Sequence, residues 1–174
     1  HVFFGGTDLG SYAVRFSRLL LDHVKGVTTC AVLSRSCTQY DQLRLLAGEC
    51  PGRFSWKVDV QDMAASMANC DFALGAPGGA TWERACIGLP TVYLAVSSSQ
   101  AAILERLSLN GLCVYLGMAD EVSDHAFVDG MKSFFADRSK LEAMRTQGMQ
   151  AVDGNGVVRI ATFLEGKGGY DSYF

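Results

Sequence analysis

Short runs of β-branched and other apolar residues recur along this chain, and almost every one is followed by a stretch with helical spacing. The runs cover residues 2–4, 27–33, 54–58, 72–75, 91–96 and 112–116. Between and after them, apolar residues at helical intervals predict helices over 11–24, 38–47, 62–69, 80–87, 100–110, 123–136, 139–152 and 157–164. Such alternation predicts an α/β, Rossmann-like parallel sheet with helices on both faces. The runs are mostly continuously apolar, as strands covered on both sides must be. A length of 174 residues suits one domain. We place it over residues 1–165, with a Gly- and Tyr-rich tail over 166–174 expected to be loosely held.

Charge and composition exclude several function classes. Fifteen Lys and Arg against eighteen Asp and Glu give a net charge of −3, and the cations are scattered. A nucleic-acid partner needs a basic face, and none is visible. No apolar run approaches the roughly 20 residues that span a bilayer. The chain opens directly on its first strand, as a domain cut at its boundary does, and no signal peptide is visible. The six cysteines, at 30, 37, 50, 70, 86 and 113, form no CxxC pair and stand at no zinc-ligand spacing from a histidine. They read as reduced structural thiols, which implies a cytoplasmic protein. His23 and His125 have no triad partners nearby in sequence, and no metal or cofactor motif is present.

Three strand-to-helix loops carry candidate chemistry. Gly5-Gly6-Thr7-Asp8 follows the first strand, where ligands of open α/β sheets bind. Gly6 and Thr7 lie between the first strand and the first helix, whose amides and dipole favour an anion. The same residues also read as a turn and a helix cap, and the spacing is neither that of a Walker loop nor GxGxxG. The stronger signal is Gly75-Ala76-Pro77-Gly78-Gly79-Ala80-Thr81-Trp82-Glu83. Here a glycine-rich loop opens a helix, so the amides of Gly79, Ala80 and Thr81 can cradle a diphosphate. Glu83, one turn on, can accept both hydroxyls of a vicinal diol such as a ribose presents. Its alternative role, partner in a capping box, would need a polar cap near position 80, and Ala80 cannot serve. The third loop, Asp59-Val60-Gln61-Asp62-Met63, reads either as a helix entry or as an apolar slot for a flat base between Val60 and Met63.

Together these loops resemble the carboxy-terminal domain of GT-B-fold enzymes of the MurG-like group. The resemblance is strongest to the UDP-sugar hydrolases of pseudaminic acid synthesis and to the spore-coat polysaccharide (SpsG-type) proteins. It is carried by Val2 to Asp8, Asp62-Met63, Cys70-Asp71 and Gly78-Gly79-Ala80-Thr81-Trp82-Glu83-Arg84. Gly88-Leu89-Pro90, Gln100 and Val152-Asp153-Gly154-Asn155-Gly156-Val157-Val158-Arg159 extend it over nearly the whole chain. The resemblance implies UDP or a UDP-sugar as ligand, with Glu83 on the ribose and Gly78, Gly79, Ala80 and Thr81 against the phosphates. Val60 and Met63 would border the uracil, Gly6, Thr7 and Asp8 would face the cleft between lobes, and Gln100 would reach the sugar or its phosphate. It also implies a second, amino-terminal lobe, absent from this chain, whose glycine-rich loop carries the water-activating histidine. The related hydrolases tend to carry Asn where this chain has Ser99, which points to a different sugar or weaker catalysis. A UDP-sugar hydrolase, a glycosyltransferase with the same donor site and a non-catalytic nucleotide-binding module all fit the sequence.

Overall fold

The computed structural model of the chain describes residues 1–6 and 8–166. Six strands and eight helices alternate through most of it: β1 (Val2–Phe3), α1 (Tyr12–His23), β2 (Thr29–Leu33), α2 (Tyr40–Glu49), β3 (Phe54–Val58), α3 (Met63–Ala68), β4 (Ala73–Gly75), α4 (Gly79–Cys86), β5 (Thr91–Ala95), α5 (Ser98–Leu109), β6 (Val114–Met118), α6 (Asp124–Ala136), α7 (Arg138–Ala151) and α8 (Gly156–Leu164). The predicted tail beyond Gly166 lies outside the described residues. Local chemistry sets several of the starts. The Asp62 carboxylate accepts from the Ala65 amide at 2.8 Å, and Ser123 and Asp137 cap α6 and α7 in the same way.

All six strands are parallel and lie in the order β3-β2-β1-β4-β5-β6. The chain runs outward from β1 to β3, then returns to β4 on the other side of β1. The order therefore reverses between β1 and β4, and their loops diverge to opposite sides. The two glycine loops singled out from the sequence are the loops after these two strands, brought side by side by the topology alone.

Alternation along the strands divides the interior between two faces. Leu74, Val92 and Leu94 join Val2 and Phe4 in the large core that α1, α2 and α6 cover. Tyr93 and Ala95 pack with Leu104 of α5, and Ala73 packs with Met67 of α3, on the opposite face. On that face α7 crosses α4 closely, since a Cβ on Gly148 would come within 2.9 Å of the Ala85 carbonyl oxygen. No helix among the described residues is long and apolar enough to cross a membrane.

The closest approach in the sheet is at the end of β4. Phe3 pairs with Gly75, and the Phe3 carbonyl accepts the Ala76 N–H at 3.2 Å. A Cβ on Gly75 would stand 1.8 Å from that carbonyl oxygen, with backbone on one side and the Arg84 guanidinium on the other. Neither neighbour is a flexible chain end. Gly75→Ala is expected to destabilise the fold by about 3 kcal/mol, read as a lowered urea midpoint with unchanged slope.

Candidate functional site

The loop after β1 is held from the flank of β2. Gly5 has φ +95°, which a side chain resists. The Gly6 carbonyl accepts both the Ser34 hydroxyl, at 2.7 Å, and the Ser34 N–H, at 3.0 Å. A side chain at Gly6 would press on Ser34 at 3.2 Å. Gln39, itself buried, donates its Nε2 to the Asp8 carbonyl at 2.7 Å. Thr7 lies outside the described residues.

The Asp8 carboxylate serves first as a helix cap. Ser11, the residue before α1, is left-handed at φ 55° and makes no side-chain cap. The Asp8 oxygens replace it, accepting from the amides of Tyr12 at 3.0 Å and Ala13 at 2.9 Å. Burial pushes this carboxyl above its ordinary value, and the two amide hydrogen bonds offset only part of the rise. The residue expected near the sugar thus caps a helix. Asp8 also lines a crevice of about 240 Å³, with Phe4, Leu9, Gly10, Tyr12 and Val96.

The loop after β4 is organised by Thr81. Its Oγ1 accepts the Gly78 N–H at 3.0 Å, and its own amide donates to the Gly78 carbonyl at the same distance. Thr81 therefore takes the capping role for which Glu83 was the alternative candidate, and the Gly78 amide is committed within the loop. The amides of Gly79 and Ala80, at the first two positions of α4, donate to no acceptor among the described residues. Gly78 and Gly79 are exposed, and Ala80 and Thr81 are buried behind them. Glu83 is exposed, and its carboxylate makes no hydrogen bond or ion pair among the described residues. It stands in a groove of about 500 Å³ with Ala64 of α3, Trp82 of α4, Ile87 just after α4, and Val157 of α8 on its walls.

Gln100 and the third loop are placed differently from the sequence expectation. The Gln100 side chain accepts the Val96 N–H at 2.9 Å and donates to the Pro77 carbonyl at 3.3 Å. Both ends of its amide tie the loop after β5 to the glycine loop, so it positions that loop, with a second N–H and a second oxygen lone pair left over. Ser99 is exposed and shares a hydrogen bond with Ser97 at 3.0 Å. In the third loop, Asp59 adopts φ 51° and its carboxylate holds the Arg35 amide at 2.8 Å, while Asp62 caps α3. Val60 is half-buried, and Met63 packs toward Met67, Ala73 and Leu89. Ala64 is the α3 residue that shares the groove with Glu83.

Three residues that sequence reasoning passed over shape the site. Ser34 and Gln39 act through contacts about thirty residues distant in sequence, which no local pattern encodes. Arg84 did carry a signal. It lies four residues after Ala80, on the buried face of α4, where a cation is out of place. Among the described residues no group of three or more His, Cys, Asp or Glu is placed to hold a metal.

Two glycine loops at the crossover of a six-stranded parallel sheet, one opening a helix with free amides, define a lobe of the GT-B, glycosyltransferase-like fold. No protein-family model matches the chain. It is similar to the spore coat polysaccharide biosynthesis protein SpsG of Bacillus subtilis (strain 168), at 28% identity over 104 residues, which are 60% of this chain and 31% of that protein. MurG of Acinetobacter baumannii superposes with a TM-score of 0.68 at 16% identity, covering 95% of this chain and 51% of that one. The spinosyn rhamnosyltransferase SpnG complexed with thymidine diphosphate gives 0.68 at 16% identity, over 92% of this chain and 44% of that one. The chain thus spans under a third of the curated relative it matches and about half of these solved structures.

The Asp8 carboxyl has a definite pH signature. Its raised value means the folded state holds the proton more tightly than the unfolded state. The stability it contributes is full below the ordinary carboxylate value and is lost as pH rises through the folded value. The stability of the wild type relative to Asp8→Asn is therefore expected to shrink as pH rises from the acid side of the carboxylate range to neutrality. Urea unfolding of both proteins across that range checks it, and a constant difference would contradict the burial of the charge.

Proposed function

We propose that this chain is the UDP-binding half of a UDP-sugar hydrolase, which releases UDP and a free amino-deoxy sugar for surface polysaccharide or nonulosonic acid synthesis. The observation that carries the reading is the conjunction on α4 of two unpartnered amides, Gly79 and Ala80, with an unpartnered carboxylate at Glu83, at the crossover of the sheet. The amides and the helix dipole neutralise the diphosphate without a metal. Glu83 accepts the two ribose hydroxyls in the groove it shares with Ala64 and Trp82. The base then lies toward α3 and the third loop, where Val60 is half-exposed. Thr81 and Gln100 position the glycine loop, and Gly6 stands on the opposite lip.

Several facts support this reading. The matched stretch of SpsG belongs to a protein named for polysaccharide biosynthesis, and SpnG, of the same fold, carries a thymidine diphosphate. In this reading the second lobe lies in the part of the protein outside this chain and supplies the group that activates water, and the parent protein works in the cytoplasm. A donor site of this shape also serves a glycosyltransferase. Incubating the full-length protein with a UDP-sugar, with and without acceptor, decides between them. Equal release of free reducing sugar in both supports hydrolysis, and release only as acceptor conjugate supports transfer. UDP binding with no product in either case would leave a binding module.

Glu83→Ala is expected to weaken UDP binding by about 1–3 kcal/mol, since the ribose hydroxyls lose a charged acceptor. Titration calorimetry should register this as a loss of roughly fivefold to a hundredfold in affinity. Added magnesium should leave the wild-type affinity unchanged.

A further inference from the structure

The side chain of Arg84 is 99% buried, with 1% of its surface exposed, yet none of the ion pairs among the described residues includes it. Its only side-chain hydrogen bond among the described residues is a long one, from Nη2 to the Phe3 carbonyl at 3.4 Å. Nε and Nη1 are buried without a partner among the described residues. The Tyr93 ring lies 5.3 Å from the guanidinium carbon, which compensates a cation only modestly. A buried charge left in this state costs stability, and an apolar side chain of similar size in its place is often neutral or stabilising.

The position of the charge suggests what offsets that cost. Helical side chains lean toward the N-terminus of their helix and cover the preceding turn. From position 84 that direction leads back toward Ala80 and the start of α4. The guanidinium reaches the last residues of β1 and β4, since Nη2 touches the Phe3 carbonyl and would lie 3.2 Å from a Cβ on Gly75. These residues run straight into the two glycine loops. The unpaired cation therefore lies under the strand ends from which the loop with the unpartnered amides of Gly79 and Ala80 departs.

We propose that Arg84 is the fixed positive charge beneath the diphosphate of the bound nucleotide, a positioning residue that draws the anion into the loop from below. This rests on the nucleotide-site reading above and adds to it the residue that selects diphosphate over nucleoside. The field acts through low-dielectric protein and is little screened by salt.

The test is titration calorimetry of wild type, Arg84→Met and Arg84→Lys with UDP, uridine and inorganic pyrophosphate, together with the melting temperature of each unliganded protein. Arg84→Met should weaken UDP and pyrophosphate at least tenfold, change uridine less than twofold, and melt no lower than wild type. Arg84→Lys, which keeps the charge, should recover most of the UDP affinity. Should the Met variant not fold, Arg84→Gln carries the same expectation. A neutral variant binding UDP within twofold of a UDP-binding wild type overturns the proposal. So does a parallel loss of UDP and uridine accompanied by a fall in melting temperature, the mark of a merely structural arginine. If wild type binds pyrophosphate but not uridine, the anion site stands and the nucleotide reading falls. If it binds none of the three, both fall.

Discussion

The approach of β4 to β1 at Gly75 and Phe3 is the constraint on which the rest of this molecule depends. With no side chain at 75, the carbonyl of Phe3 can accept the Ala76 amide, and the two strands can end level with each other. Everything chemically interesting is then hung from that junction. One loop leaves toward α1 and the other toward α4, and the gap between them opens where the strand order reverses. A methyl group at 75 would push the strands apart at the one place where two backbones, two glycine loops and a buried guanidinium meet.

Around that junction the protein spends polar side chains on geometry. Asp8 gives both carboxylate oxygens to α1, Thr81 gives its hydroxyl to Gly78, and Gln100 gives both ends of its amide to neighbouring loops. What remains unspent is small and specific: two amides at the start of α4, one exposed carboxylate a turn later, and a buried cation behind them. Residues that look like ligand contacts by type are here the scaffold that presents backbone groups. A rigid loop whose amides are already aimed loses little freedom when an anion arrives.

Much of this was legible in the sequence. All fourteen elements were predicted within about two residues of their observed limits, because parallel strands covered on both faces are short unbroken apolar runs and the helices between them keep their own period. The exceptions have local causes. Leu112 and Cys113 read as the start of β6, but the Leu112 amide folds back onto the Leu107 carbonyl to close α5, and the strand begins at Val114. In the site, the glycines and the exposed Glu83 were visible because backbone conformation and helix position are local properties. The roles of Asp8, Gln100 and Met63 were not. Each was expected from the family resemblance, and each side chain has partners that only the folded chain supplies. Ser34 and Gln39 belong to the same class, whereas Arg84 could have been noticed as a cation on an apolar helix face.

The anchoring of the two glycine loops has a mechanical consequence. The first is fastened outward, to Ser34 and Gln39 on the β2 side, and the second is fastened outward in the other direction, through Gln100 to the turn beyond β5. Above the Phe3–Ala76 contact at their roots, no hydrogen bond among the described residues runs from one to the other. They behave as the two jaws of a clip braced from behind. Among the described residues a guest entering between them meets no hydrogen bond from jaw to jaw, and the work of admission falls chiefly on expelling solvent.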